Sequence, residues 1–389
     1  MDAVKTIDIP DWVKDEKTQK VMMAIGGLEM PARSMFVGGS VRNLLMNKPV
    51  SDIDIATQLK PDEVIEHLNA AGIKTIPTGI EHGTVSGIVD KAVYEITTLR
   101  SDDETDGRRA IVSFSEDWVE DAQRRDFTLN TLLMNCEGYI FDMLGKGLKD
   151  LEKRQIVFVG NPEERIQEDY LRILRFFRFY AQYGEGEMDA TGLKACKAHA
   201  GQIPTLSRER ITQEFLKILA VDTPTPVLKI MHKNNVLNEV SDPSYSPDIL
   251  ERLCILQKQY GVEELMARLF VLAGNKARFF DDYLRLSHVQ KKAIVKIDMA
   301  ANTLVYSNEK AIKKSIFYHG NDVVLQGYLL NCAIKDKQPD EALISVLQNW
   351  QAPVCPITGQ TLLDEGYETG PEIGRELEYR IEEWLDEVV

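Results

Sequence analysis

Cysteine is scarce in this chain: five thiols in 389 residues (Cys136, Cys196, Cys254, Cys332 and Cys355), an odd count with no CxxC spacing. That argues against a disulfide framework or a cysteine zinc site, and the five read as reduced, mostly buried thiols. No apolar run approaches the ~20 residues needed to span a bilayer. The first twenty residues are charged throughout and lack the apolar core of a signal peptide. Glycine and proline, at 25 and 15, are too few for a collagenous or low-complexity chain. Positive charge is in deficit, 46 basic against 61 acidic residues for a formal net of -15. That balance argues against indiscriminate nucleic-acid binding, though not against a local basic groove. The expectation is a cytoplasmic protein long enough for two or more packed units.

The deficit is uneven. From Thr361 to Val389 ten acids meet two arginines, whereas Arg165 to Arg178 holds four arginines against Glu168 and Asp169. The pattern of elements also changes along the chain. Met35–Val37 reads as a buried strand that stops at Gly38-Gly39, and Val41–Met46 resumes with helical spacing. Asp52–Ala56 and, more loosely, Tyr94–Leu99 alternate as strands, while Pro61 opens a helix that Gly72 ends. This mixture predicts an α/β or α+β N-terminal domain around a single sheet. Beyond about Lys149 the patterns are helical: Glu163–Tyr183 as one long helix, then Ser207–Leu219 with Ser207 as N-cap. Pro247–Tyr260, Val262–Ala273, Asp281–Asn302, Glu309–Tyr318, Asp340–Gln348 and Gly370–Val389 follow, with no convincing strand. Ser101 to Arg109, charged and polar, reads as a mobile loop.

Three constellations carry chemistry. The first is Gly38-Gly39 with Arg42, followed by Asp52 and Asp54. A glycine pair between a strand and a helix start lets backbone N–H groups approach phosphate closely. Residues i and i+2 of a strand share a face, so Asp52 and Asp54 converge, an arrangement costly without a cation between them. Magnesium suits it, because that ion takes one or two carboxylates, waters and substrate phosphates. The second is Arg124-Arg125-Asp126, whose guanidinium forks match phosphate oxygens; alone, such a run is more often a surface ion pair. The third is Asp169 with Arg172, i,i+3 neighbours on a helix face. As an acceptor beside a donor they complement the edge that cytosine and adenine share and that uracil and guanine reverse. The ordinary alternative is a surface ion pair. Phe176, Phe177 and Phe179 read as core residues.

In order along the chain, GGSVR, DID, TDGRR, RRDFTLN, DMLGKGLKD, EDYLRILRFFRF and SRERITQEFLKIL resemble the class II tRNA nucleotidyltransferases, the CCA-adding family that also contains bacterial poly(A) polymerases. The match runs from about Phe36 to Leu219, and PITGQTLLDEGYETGPEIGRELEYRIEEWL resembles the end of many bacterial members. The resemblance implies an α+β head with a polymerase-β-like mixed sheet, followed by an all-α elongated C-terminal half. It divides the chain into a nucleotidyltransferase head over 20–147, a helical neck for base selection over 148–219, and a helical body and tail for tRNA over 220–389.

It also implies roles. Gly38, Gly39 and Arg42 lie at the nucleotide, Asp52 and Asp54 bind Mg2+, and Arg124 and Arg125 run along the nucleotide and its phosphates. Asp169 and Arg172 read the incoming base, with Arg175 and Arg178 following in the same site. Asp142 to Asp150 matches a springy element between head and neck. The loop residues Asp103, Asp106, Gly107, Arg108 and Arg109 match a flexible region implicated in switching from CTP to ATP. The implied reaction is attack of a tRNA 3′-hydroxyl on the α-phosphate of CTP or ATP, with release of pyrophosphate. The partners would be tRNA, CTP and ATP, with no membrane and no DNA.

Two departures stand out: Asn43 where the family usually has Asp, a position that orients the arginine or caps its local network, and Thr131 where Ala is usual. No His-Asp phosphohydrolase signature is present. Glu95 is either a further carboxylate near the metals or, as the preferred reading, a structural partner of Arg100 or of a backbone group. Lys291, Lys292 and Lys296 are candidates for RNA contact, with a solvated face as the ordinary reading. The alternatives are a poly(A) polymerase or a partial CC- or A-adding enzyme on the same scaffold, and a non-catalytic RNA-binding relative.

Overall fold

The computed structural model describes residues 1–102, 112–241, 246–262, 264–273, 283–303, 306 and 308–389. Its strands are β1 (Lys5–Thr6), β2 (Ser34–Val37), β3 (Ile53–Thr57), β4 (Lys74–Gly79), β5 (Thr84–Val89), β6 (Ala92–Thr98), β7 (Arg100–Asp102), β8 (Val112–Phe114), β9 (Leu132–Met134) and β10 (Tyr139–Asp142). Eight of them form one sheet in the order β1-β10-β9-β2-β3-β6-β5-β4, and β7 pairs with β8 separately. Within the large sheet β3 and β6 run parallel and the other pairs antiparallel. The mixed sheet with flanking helices is the expected head. β2 lies inside it and is buried along its whole length, as a near-continuous apolar run requires. One core cluster gathers Met35, Val37, Ala56, Leu99, Trp118, Leu133 and Phe141 from both ends of the sheet's sequence.

By contacts the chain divides into two compact units, Met1–Ala200 and Gly201–Val389. The first unit takes in β1, so the sheet reaches back to Lys5, upstream of the head boundary expected at residue 20. A two-residue strand carries no periodicity by which it could be read. The stretch expected as a neck, 148–219, is shared between the two units.

The long helix expected over Glu163–Tyr183 is two helices, Pro162–Glu168 and Leu171–Tyr183. Asp169 takes an extended backbone (φ -154, ψ 106), and its Oδ1 accepts the Leu171 N–H at 3.1 Å. A short carboxylate that satisfies an orphan N–H of the next helix competes with helix continuation, and here it wins.

In the second unit Arg208–Leu219 is capped as expected, Ser207 Oγ accepting the Arg210 N–H. The helix expected from Asp281 starts at His288. Ser287 and Gln290 cap it reciprocally: Gln290 N–H donates to Ser287 Oγ (3.3 Å), and Ser287 N–H donates to Gln290 Oε1 (2.8 Å). A helix not anticipated from the sequence, Asn321–Lys335, buries residues all round its axis, among them Val324, Leu325, Leu329, Leu330 and Ala333. Its Gly327 abuts His288–Thr303 so closely that an added Cβ would lie 2.3 Å from Ala300 Cβ. Arg268, 8% exposed, donates through Nη1 to the carbonyls of Leu219 and Val221, both at 2.7 Å. A buried cation thereby closes the C-terminal end of Arg208–Leu219. The acid-rich C-terminal helix Pro371–Val388 is partly neutralised, Lys314 Nζ reaching Glu382 at 2.9 Å and Asp386 at 3.0 Å.

Among the described residues no strand follows Asp142, apart from a single bridge between Phe127 and Phe158. No described helix is long and apolar enough to cross a membrane. The five cysteines are free thiols, all buried except the half-buried Cys355.

Candidate active site

The turn after β2 shapes the site. Gly38 has φ +66 and ψ -123, a conformation that L side chains resist. Ser40 Oγ donates to the Val37 carbonyl at 2.9 Å and closes the turn into the helix Gly39–Leu45. A Cβ placed on Gly38 would sit 3.6 Å from Asp54 Oδ2 and 3.7 Å from Arg125 Nη1. One on Gly39 would sit 3.5 Å from Asp54 Oδ2 and 3.7 Å from Arg42 Nη2. The glycine pair is therefore the floor on which one carboxylate and two guanidinium groups converge.

Antiparallel pairing of β2 with β3, Phe36 opposite Ile55, sets Asp54 beside that turn. Ile55 points into the core and is fully buried. Asp52 lies just before β3, exposed, and accepts from Ser51 Oγ at 3.0 Å. Asp54 stands in parallel register with Glu95 of β6. Burial, then the neighbouring Glu95, push the Asp54 carboxyl up to about 6. Arg125 and the Gly39 N–H pull it down, and Asp52 adds to the rise. The register sets the Glu95 carboxylate beside Asp54.

The donors fit a divalent cation. Asp52 and Asp54 offer hard oxygens, and the repulsion felt at Asp54 is what a cation would relieve. Among the described residues no group of three or more His, Cys, Asp or Glu could hold a metal. Such a cation would complete its shell with water and phosphate oxygens, as magnesium commonly does.

Arg42, 7% exposed, is fixed from four sides. Nε and Nη2 donate to Asn43 Oδ1 (3.2 and 3.0 Å), Nη1 to Asn130 Oδ1 (2.7 Å), and Nη2 to Tyr183 Oη (2.9 Å). Its guanidinium lies 4.2 Å from the Tyr183 ring centroid and 5.1 Å from that of Phe179. Asn43 thus orients the arginine, one of the roles weighed for that position, and Asn43 Nδ2 is anchored on the Pro49 carbonyl (3.1 Å).

Asn130 passes the network on, its Nδ2 donating to Asp126 Oδ1 at 3.0 Å. Asp126 Oδ2 receives Arg175 Nε (2.8 Å) and Nη2 (2.5 Å). Burial disfavours the ionised Asp126, but Arg175 and these hydrogen bonds outweigh it and hold the carboxyl below its usual range. Arg178 lies over the Phe179 ring at 4.3 Å, and Lys48 over Tyr183 at 4.6 Å. Phe176, Phe177 and Phe179 are buried, and Phe127, Phe158, Phe176 and Phe179 form an aromatic cluster beneath the helix.

Of the arginine pair, Arg125 forks onto the buried Asp121 (Nε 3.0 Å, Nη2 2.7 Å), while Nη1, on the side of Gly38, donates to the Asn130 carbonyl at 3.4 Å. Arg124 Nη1 stands 4.0 Å from the same carboxylate. Asp169 and Arg172 meet through the backbone, the Arg172 N–H donating to the Asp169 carbonyl at 3.0 Å. Arg172 is held by Glu168, by the Arg165 carbonyl (2.8 Å) and by the Arg124 carbonyl (3.4 Å). The loop residues Asp103, Asp106, Gly107, Arg108 and Arg109 lie outside the described residues. Sequence reading missed Tyr183, Lys48, Asp121 and Asn130. Only Asp126 and Asn130 carried a local sign, their i,i+4 spacing in RRDFTLN.

Residues 34–157 match the profile described as "Poly A polymerase head domain", and 187–246 match "Probable RNA and SrmB- binding site of polymerase A". The chain is 32% identical over 367 residues to the mitochondrial CCA tRNA nucleotidyltransferase 1 of Mus musculus, covering 89% of this chain and 81% of that one. It is 31% identical over 357 residues to the CCA-adding enzyme of Levilactobacillus brevis, covering 89% and 88%. Among solved structures, the Bacillus stearothermophilus CCA-adding enzyme in complex with CTP superposes with a TM-score of 0.80 at 24% identity, over 96% of this chain and 94% of that one. The Thermotoga maritima CCA-adding enzyme complexed with tRNA superposes at 0.64 and 19% identity, over 97% and 94%. These two structures bear on the fold.

Proposed function

Because the chain belongs to the family of CCA-adding tRNA nucleotidyltransferases, we propose that it adds or repairs the 3′-terminal CCA of tRNA from CTP and ATP, without a template. One observation carries this reading: Asp54, Arg42 and Arg125 converge on the Gly38-Gly39 turn, the arrangement a triphosphate beside a cation needs. The family uses divalent metal ions, and the ion here is proposed to be Mg2+, held by Asp52 and Asp54. When bound it supplies Lewis-acid stabilisation of the phosphoryl centre and of the leaving pyrophosphate.

The chain's own residues do the rest by alignment and charge. Gly38 and Gly39 leave room for phosphate where a side chain would stand. Arg42 and Arg125 face the triphosphate, with Arg124, Arg175 and Arg178 along the nucleotide. Asp169 and Arg172 read the base: an acceptor beside a donor satisfies cytosine and adenine and leaves uracil or guanine with unpaired groups. Glu168 and two carbonyls fix the Arg172 guanidinium, which suits a reader whose geometry must not drift. Asp103, Asp106, Gly107, Arg108 and Arg109 are assigned to the change from CTP to ATP. We assign 20–147, together with the β1 strand that completes its sheet, to the head, 148–219 to the neck and 220–389 to tRNA binding, and the protein to the cytoplasm.

The test is extension of a tRNA lacking CCA, with Mg2+ and CTP, ATP, both or UTP, beside an unstructured RNA, sized at single-nucleotide resolution. Three additions requiring both CTP and ATP, on tRNA alone, are expected. Long A tails, a stop after two cytidines, or no extension would each replace this reading, respectively by poly(A) synthesis, partial addition or RNA binding without catalysis.

A further inference from the structure

Arg42 is a buried cation whose hydrogen bonds all end on neutral groups: the amide oxygens of Asn43 and Asn130 and the hydroxyl of Tyr183. Among the described residues no carboxylate hydrogen-bonds to it or pairs with it. The carboxylate it feels, Asp126, is forked by Arg175. Other cations crowd the same place. Lys48 shares the Tyr183 ring, and both Arg178 and Lys48 are electrostatically coupled to Arg42. A buried charge without a counter-charge is costly, and a carboxylate at position 43 would cancel it with little change of shape. The chain places an amide there instead.

We infer that Asn43 is a positioning residue that orients Arg42 while leaving its positive charge uncancelled, so that the nucleotide's polyphosphate, and the pyrophosphate released, supply the counter-charge. The inference rests on the nucleotide binding within the proposed function, not on the transfer step, and names what sets the affinity of that site. Asn43 Oδ1 takes two N–H groups of the guanidinium, and Asn43 Nδ2 is tied to the Pro49 carbonyl, so the orienting contact is itself anchored. Asn130 and Tyr183 hold the remaining sides without adding charge.

The experiment measures binding of CTP and of inorganic pyrophosphate by calorimetry, in Mg2+ and without RNA, at two ionic strengths. It compares the full-length chain with Asn43→Asp and Asn43→Ala, recording Tm for each. Asn43→Asp keeps the acceptor toward Arg42 and adds a charge, and it gives up the Nδ2 donation to the Pro49 carbonyl. Both dissociation constants should rise about tenfold, as expected for one neutralised charge near a polyanion at intermediate dielectric. Their salt dependence should flatten, and because the bond to the Pro49 carbonyl is lost while an ion pair with Arg42 is gained, Tm should fall less than in Asn43→Ala. In steady state KM for CTP and ATP should rise together while kcat stays within about twofold. Asn43→Ala should lose Tm and kcat as well.

Wild-type affinity and salt dependence in Asn43→Asp would overturn the inference, as would weakened binding accompanied by the Tm loss of Asn43→Ala. A wild-type protein that binds neither CTP nor pyrophosphate would overturn it too. A wild-type protein that binds both but extends no RNA would remove the proposed function and leave this inference standing.

Discussion

Asp54 and Glu95 stand side by side, in register across the one parallel pair of the large sheet, β3 against β6. A neighbouring carboxylate raises the cost of ionising Asp54, and the Asp54 carboxyl is pushed up to about 6 by burial and by Glu95. In the folded state Asp54 therefore holds its proton more tightly than in the unfolded chain, where the ordinary value of 3.8 applies. Between those two values the folded state binds more protons, so stability falls as pH rises through the window. Without divalent cation, calorimetric Tm should fall from pH 4 to pH 6.5, and Asp54→Asn should remove that component. Mg2+ should raise Tm most above pH 6, where the carboxylate is free of its proton. A Tm gain from Mg2+ equal at pH 5 and pH 7 would count against this picture.

Removing either carboxylate of the proposed metal pair, Asp52 or Asp54, should stop the reaction without unfolding the protein. Asp52→Asn and Asp54→Asn should each lower kcat by about a thousandfold or more, the scale on which lost transition-state charge stabilisation is felt. Tm should stay the same or, for Asp54→Asn at neutral pH, rise. Primer extension beside calorimetry would check both halves.

The fork from Arg175 onto Asp126 joins the Leu171–Tyr183 helix to the RRDFTLN segment. Asp126 is buried, and its ionised form is held by Arg175, Asn130 and the Phe127 N–H. Breaking such a pair from one side leaves a charge uncompensated, and with the Arg175 side chain 31% exposed the cost is about 1–3 kcal/mol. Asp126→Leu should show a loss of that order in urea titration. In the wild type, Asp126 contributes stability above the ordinary carboxylate range, which is lost as pH falls through its depressed value. Acid titration monitored by circular dichroism should therefore show a later midpoint in wild type than in the variant.

Gly327 permits the helix Asn321–Lys335 to lie against His288–Thr303. Helix propensity alone favours alanine over glycine there by about 1 kcal/mol. The added methyl, however, would meet the Ala300 Cβ at 2.3 Å and the Tyr306 hydroxyl at 2.8 Å. Overpacking of a filled core costs about 1–3 kcal/mol, so the net effect of Gly327→Ala should be a loss of stability. Urea unfolding of the variant would measure it, and a stabilised variant would show that the helices can separate without cost.

Much of the head was readable residue by residue. Met35–Val37, Gly38-Gly39, the DID strand and the Pro61 helix follow from apolar runs, glycine conformational freedom and proline at a helix start, all properties of a few adjacent residues. The Ser207 cap is of the same kind. The break at Asp169 was not, because helical spacing continues through it and only the side chain's capping of the Leu171 N–H interrupts the backbone. Asn321–Lys335 escaped for the opposite reason: a helix buried on every side shows little periodicity to detect.

The sequence by itself determined which groups exist, and within two or three residues it determined their local conformation, because turn, cap and strand preferences act over short separations. Only the tertiary structure decided what those groups do to one another. Arg42 meets Asn130 and Tyr183, 88 and 141 residues away, and Asp54 meets Glu95 through sheet order. Such encounters depend on how the chain closes its long loops, and the charge each group carries there depends on burial that no short segment can establish alone.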